Sequence, residues 1–432
     1  MGPAYSIAAT MGPMVVAAGT GAPWALLALS GIMLCMAVAF GELSRVSPNA
    51  GSSYSWIRDA FGAWFGAYGA WLLLLSNFFA TMATAVPAGT YTLELLAPAH
   101  AQDPLWTALV GVVWIVGSSV LLYVGVRPTA LVTAVALGVE LVVILAAAAA
   151  AWIVHPAHLA IAPGPHLPVA AIPLTLFGFV NAMTLGIWMS DGWEVSASTG
   201  EEIAGDTRSI GRGGITGLLI TTVVLMAAMV SYLHLGTPAG FAANADDVFE
   251  YVGDLLGGGA WHWAIVTTVL VSTCSTLWTT ILYLSRSVYA MGRDGVLPRR
   301  LGHLDHRAEP LVALVVIAVL TAICQLATGL SPTVNDQLTI VVNISAVFLG
   351  LLFVCSAAAC VRRFWRVPGA ALLGVWVPAA GGLALVAVLA GTVAFEPLVP
   401  KLYALGGVLL GIPFAFRGVR GTRAIGTRAE QG

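Results

Sequence analysis

Three carboxylates stand inside apolar stretches of this chain: Glu140 in Ala136-Leu-Gly-Val-Glu140-Leu-Val-Val-Ile, and Asp191 and Glu194 around Met189-Ser190-Asp191-Gly192. An acid at bilayer depth costs roughly 2.5–3.5 kcal/mol on insertion scales, so each is a functional candidate by default. Asp191 can meet a substrate ammonium group directly; equally, Ser190 and Asp191 can cap the helix that follows. Glu194 falls in that helix's first turn, where a carboxylate complements the helix dipole, a structural reading. Glu140 is far in sequence from any other charge. It suits a proton carrier, or else a hydrogen-bonded carboxyl tying its helix to a neighbour. Trp188, just before Met189, offers a flat ring for a cation–π contact with an amine. Trp193, Trp278, Tyr68 and Trp71 are candidates for the same cavity, although interfacial belts account for most of the 14 tryptophans.

Chemistry at that depth needs helices to carry it. Only 9% of residues are charged and 59% are hydrophobic, against about 25% charged in a soluble domain. With about 20 apolar residues per span, segments fall near 3–18, 22–43, 64–96, 104–124, 129–154, 169–200, 213–235, 260–290, 310–329, 338–361, 370–393 and 398–416. No soluble domain fits between them. The outer gap 236–259 is predicted to form a short surface helix ended by Gly257–Gly259, its acids Asp246, Asp247, Glu250 and Asp254 being solvated.

All the lysines and arginines except Lys401 lie in alternate gaps: Arg45/Arg58, Arg127, Arg208/Arg212, Arg286 to Arg307, Arg362 to Arg366 and Arg417 to Arg428. Cytoplasmic loops retain positive charge. The pattern therefore predicts a multi-pass protein of the cell (inner or plasma) membrane with both termini cytoplasmic. A net charge of −2 without a basic patch gives nucleic-acid binding no support. Cys35, Cys274, Cys324, Cys355 and Cys360 read as packing residues rather than disulfides or metal ligands. The sequence calls for no cofactor and no metal.

Two segments are interrupted. The first opens Met1-Gly2-Pro3-Ala4-Tyr5-Ser6 and contains Gly12-Pro13; the sixth breaks at Met189-Ser190-Asp191-Gly192. Backbone freed by glycine or proline inside a span is tolerated only where protein or a polar cavity satisfies it. Two such helices five segments apart fit a transporter of inverted repeats, whose half-helix ends offer amides to a carboxylate and carbonyls to an ammonium group or cation.

Three stretches resemble the amino acid–polyamine–organocation (APC) superfamily of secondary transporters. Phe40-Gly-Glu42-Leu-Ser-Arg45-Val-Ser-Pro48-Asn-Ala-Gly51-Ser-Ser-Tyr54-Ser-Trp56-Ile-Arg58 through Gly62 is similar to its second-helix motif, with Phe40 and Trp56 replacing tyrosines. Gly192-Trp-Glu194 through Glu201-Glu202 resembles the sixth-helix motif. Ser285-Arg286-Ser-Val-Tyr289-Ala-Met-Gly-Arg293-Asp294-Gly295-Val-Leu-Pro298 resembles the eighth-helix ending. The likeness implies an all-α membrane fold with a five-plus-five inverted-repeat, leucine-transporter-like core and discontinuous helices 1 and 6. The first repeat would be 1–154, the second 169–361, two peripheral helices 370–416, and a cytoplasmic tail 417–432.

The resemblance also implies the site. Substrate would sit at Gly2, Pro3, Ala4, Tyr5 and Ser6 of helix 1 and at Trp188, Met189, Ser190, Asp191 and Gly192 of helix 6. Trp188 would be the lid, or gate, over the substrate. Glu140, where some members carry an ion-linked charge, and Glu194 are the coupling candidates. Many members have an apolar or aromatic residue at the position of Asp191, so an acid there points to amines or cationic groups. The half-helix that precedes the first break in the family has no counterpart after Met1. Either the true start lies upstream, the reading favoured here, or the chain is a remnant.

The functional expectation is a permease for an amino acid or related amine, proton-coupled or an exchanger, with a proton or sodium as partner and no enzymatic activity. The alternative is a substrate-binding sensor or non-transporting remnant. An intramembrane enzyme would need a serine–histidine pair or paired aspartates within spans. The histidines (His100, His155, His158, His166, His234, His262, His303 and His306) lie in loops or at helix ends. Ser272, Thr273, Ser275 and Thr276 could complete a sodium site, but bonding to the preceding turn is the expected use of such hydroxyls. Asn77, Asn181 and Asn343 are expected to bond between helices.

Overall fold

The computed structural model describes residues 2–154, 174–202, 205–245, 248–395 and 398–429. His155, His158, His166, Asp246, Asp247, Met1 and the start of the sixth predicted segment lie outside these residues. The described chain is helical: α1 Pro3–Ala18, α2 Ala22–Val46, α3 Ser52–Phe61, α4 Ala63–Leu96, α5 Pro104–Val124 and α6 Val126–Val154 come first. There follow α7 Leu176–Met189, α8 Val195–Ser198, α9 Arg208–Leu235, α10 Pro238–Ala243, α11 Val248–Leu255 and α12 Ala260–Arg293. The last are α13 Leu311–Thr328, α14 Val334–Phe364, α15 Val377–Phe395 and α16 Leu398–Ala429.

Among the described residues, nine stretches are long and apolar enough to cross a bilayer; Pro3–Val46 counts α1 and α2 as one run, and Leu176–Met189 is shorter. Each predicted segment has a helical counterpart. The last helix runs on through 417–429, a stretch expected to be a tail.

The packing pairs helices across the bundle. α1 lies against α7, α2 against α9, α4 against α12 and α5 against α13, while α6 bridges α9 and α12. Small residues bring the axes together. A Cβ on Gly211 of α9 would stand 2.5 Å from the Gly41 Cα of α2, so the two backbones touch there.

The gap 236–259 departs from the predicted surface helix. It forms α10 and α11, with Phe241, Val248, Phe249 and Val252 buried against α1 and α12. The apolar face of this segment, not its acids, decides its placement. Gly257, Gly258 and Gly259, all with positive φ, end it as expected.

Candidate functional site

α1 starts at Pro3, with Gly2 extended at φ −115°. A proline at the first helical position lacks only an N–H that would be unpaired anyway. Gly12-Pro13, the second Gly-Pro pair of this span, lies within α1 and does not end it. The next amides, Ala4 and Tyr5, are the orphan donors of any helix start. The Tyr5 N–H donates to Ser272 Oγ at 3.0 Å, and the Ser272 hydroxyl donates to Glu140 Oε2 at 2.7 Å. The Ala4 amide also bonds to Glu140. Glu140 is fully buried. Its bonds tie α6 to α12 and to the start of α1.

The sixth segment breaks where the sequence placed the break. α7 ends at Met189, Ser190 to Glu194 have no helix, and α8 is a single turn followed by the 3-10 turn Gly200–Glu202. Gly192 makes the bend with φ +106°, a region open to glycine. Its N–H is shared by Asp191 Oδ1 at 2.8 Å and Glu194 Oε2 at 3.0 Å. Neither acid caps the following turn, since the N-cap of α8 has no side-chain hydrogen bond. Both turn back into the break, so two carboxyls converge on one amide.

The start of α1 and this break face each other. Gly2, Tyr5, Ser6, Trp188, Asp191 and Gly192 line one cavity of about 30 Å³, closed on the far side by Ala80 and Thr84 of α4 and Thr276, Thr279 and Thr280 of α12. The Tyr5 and Trp188 rings meet edge to face at 5.0 Å, and the Tyr5 hydroxyl donates to the Ala83 carbonyl at 2.7 Å. Pro3 and Ala4 are buried beside them, as are Met189 and Ser190. The Trp188 indole N–H and the Ser190 and Thr276 hydroxyls are buried without a hydrogen-bond partner. Unpaired buried polar atoms are rare in packed protein, and three of those in this chain border the cavity or the break.

Other candidates go elsewhere. Trp71 and Tyr68 donate to the Gly407 and Val408 carbonyls of α16, and Trp278 donates to Thr133 of α6. Trp193 packs between Phe40 and Phe353. None of these rings lines the cavity, because each has a partner on another helix. Of the four α12 hydroxyls expected to bond the preceding turn, Thr273 and Ser275 do, whereas Ser272 donates to Glu140 and Thr276 has no partner. Asn77 bonds its own helix, at Leu73, instead of reaching a neighbour. Thr84, Thr279 and Thr280 were not anticipated. All three also bond to the carbonyl four residues earlier, so their spacing carries no signal of a cavity.

At the arginine-bearing end the three motifs meet. Glu201 accepts from Arg293 Nη1 at 2.9 Å and Nη2 at 3.0 Å, and its Oε1 accepts the Ala50 N–H at 2.9 Å. Asp294 accepts from the Tyr54 hydroxyl at 2.7 Å and pairs with Arg58. The guanidinium of Arg293 holds the Glu201 carboxyl below the usual carboxylate range.

A bundle of long apolar helices, with a broken span facing a helix start, marks a multi-pass membrane protein. The chain matches the amino acid permease family model over residues 1–405 and belongs to that family, whose transported solutes are amino acids. The family carries the leucine-transporter-like fold. The chain is 27% identical over 327 residues to the branched-chain amino acid permease of Lactococcus lactis subsp. cremoris, covering 71% of this chain and 68% of that protein. It is 28% identical over 400 residues to an uncharacterized transporter of Mycobacterium tuberculosis, covering 87% and 86%. A shorter likeness, 26% over 163 residues, covers 37% of this chain and 26% of a vacuolar cationic amino acid transporter of Arabidopsis thaliana.

Proposed function

We propose that this chain is a secondary active transporter that moves an amino acid or related amine by alternating access, coupled to protons or by exchange. The observation that carries the reading is the shared cavity of α1 and the α7–α8 break, lined by Asp191 and by the unpaired Thr276 hydroxyl and Trp188 indole. A substrate ammonium would sit at Asp191, beside Glu194, whose carboxyl accepts the same Gly192 N–H. The substrate carboxylate would take the unpaired donors. A cavity of about 30 Å³ holds no more than about two waters, so this arrangement is closed and must rearrange to admit a substrate.

Helix pairing supports a rocking mechanism: first with sixth, second with seventh, third with eighth and fourth with ninth, the arrangement of two repeats, 1–154 and 169–361. Positive charge orients the arginine-bearing end toward the cytoplasm of a plasma membrane. Protonation of Glu140 would weaken its hold on the first turn of α1, which links proton binding to movement of that helix. The substrates for which two relatives are named, branched-chain and cationic amino acids, differ in side-chain charge; Asp191 favours an amine-bearing solute.

Uptake of labelled amino acids into proteoliposomes, with and without a pH gradient, tests this. Saturable uptake that Glu140→Gln uncouples from the gradient is expected. No uptake across a broad amino acid and amine panel would overturn the reading.

A further inference from the structure

Away from the transport cavity, at the arginine-bearing end, an open groove of about 960 Å³ lies between the end of α3, the last turns of α14 and the first turns of α15. Its two parts differ in chemistry. Its floor, running along the bundle, is apolar: Ala357 and Gly382 keep it deep, while Leu383 and Val386 line it and are 72% and 45% exposed. At its mouth stand Arg362, Arg363, Arg366 and Trp365.

The charge at the mouth is unbalanced. Arg362 donates to the Ala60 carbonyl and lies over the Phe61 ring. Among the described residues no acid pairs with Arg363 or Arg366. The one acid in the groove, Asp59, is held by Arg58 at 3.1 Å. An exposed cationic mouth over an apolar channel matches an amphiphile with an anionic head. A second copy of this chain is a poor occupant, because a two-fold contact would bring the same arginines face to face. A zwitterionic lipid brings its own ammonium and cancels most of the attraction.

We propose that this groove binds an anionic phospholipid from the leaflet at the arginine-bearing end, its phosphate on Arg363 and Arg366 and one acyl chain along α14 and α15. Basic pockets between membrane helices recognise such headgroups through this combination of charge and burial. The assignment requires only that the protein lie in a bilayer, so it stands or falls separately from the transport mechanism.

The test uses the full chain in nanodiscs of phosphatidylcholine, with and without phosphatidylglycerol, read by lipid retention in native mass spectrometry and by thermal unfolding. Wild type should retain phosphatidylglycerol and unfold at a higher temperature with it, but not with soluble glycerol phosphate. Removing both charges in R363Q/R366Q should weaken phosphatidylglycerol binding about 25-fold, roughly fivefold per arginine. Ala358→Trp, which fills the exposed channel wall and leaves the arginines alone, should also reduce retention. Equal retention of both lipids overturns the proposal. So does wild-type retention by R363Q/R366Q, stabilisation by glycerol phosphate alone, or cross-linking that places a second copy over the groove.

Discussion

Replacing Asp191 by asparagine removes the acid proposed to meet a substrate ammonium and changes little else. The amide oxygen can still accept the Gly192 N–H, now 2.8 Å from Oδ1, so the bend at the break survives. Glu194, whose Oε2 accepts the same N–H at 3.0 Å, stays in place. What is lost is the charge-assisted bond to a substrate ammonium. Hydrogen bonds to charged groups contribute about 1.5–3 kcal/mol net, so affinity should fall roughly 10- to 140-fold. The measurement is amino acid binding to purified protein by calorimetry, with uptake kinetics in proteoliposomes and thermal unfolding as the control. The expected result is a raised Kd and KM at an unchanged unfolding temperature. A change below about threefold, roughly 0.7 kcal/mol, in a normally folded variant would refute an ammonium at Asp191.

Three further outcomes follow from the same geometry. Ser272→Ala removes the acceptor for the Tyr5 N–H and the closest donor to Glu140; it should destabilise the protein by about 1–3 kcal/mol in detergent unfolding, the cost of a buried polar group left unpaired. Gly211→Val inserts a side chain where α9 touches Gly41 of α2 and should cost about 1–3 kcal/mol or more by overpacking, read as a lowered unfolding temperature. The Glu201 carboxyl titrates below its ordinary value because of Arg293. Its stabilising effect is therefore complete above the unfolded value of about 4.3 and disappears as pH falls through the lower folded value. Unfolding temperature measured against pH should show this acid loss in wild type, and Glu201→Gln should flatten it.

Much of the architecture was legible because bilayer constraints act directly on sequence. Alternating arginines and apolar lengths are consequences of crossing a membrane, so the helices followed from them. The break at Met189 to Gly192 was legible for the same reason: polar residues and a glycine cannot continue a lipid-exposed helix cheaply. The second Gly-Pro pair carries no break of its own: Pro13 sits inside α1 without ending it. The cavity wall was not legible. Thr84, Thr279 and Thr280 make the same backbone bonds as threonines anywhere in a span, and only the crossing of α4 and α12 turns them toward α1. Tyr68 and Trp71 were misplaced because an aromatic on a packed helix has several neighbours to choose from, and theirs is α16.

The two ends of the bundle are closed by different forces. At one, Glu201, Arg293, Asp294 and Arg58 hold distant segments together by charge; at the other, Phe241, Val248 and Phe249 cover α1 by apolar contact. Salt weakens interactions between partly exposed charges, with a screening length of about 8 Å at physiological strength, while salting-out ions such as sulfate strengthen apolar burial. Ionic strength and ion type thus act as separate handles on the two doors of one molecule, loosening the first while leaving the second shut or tightening it.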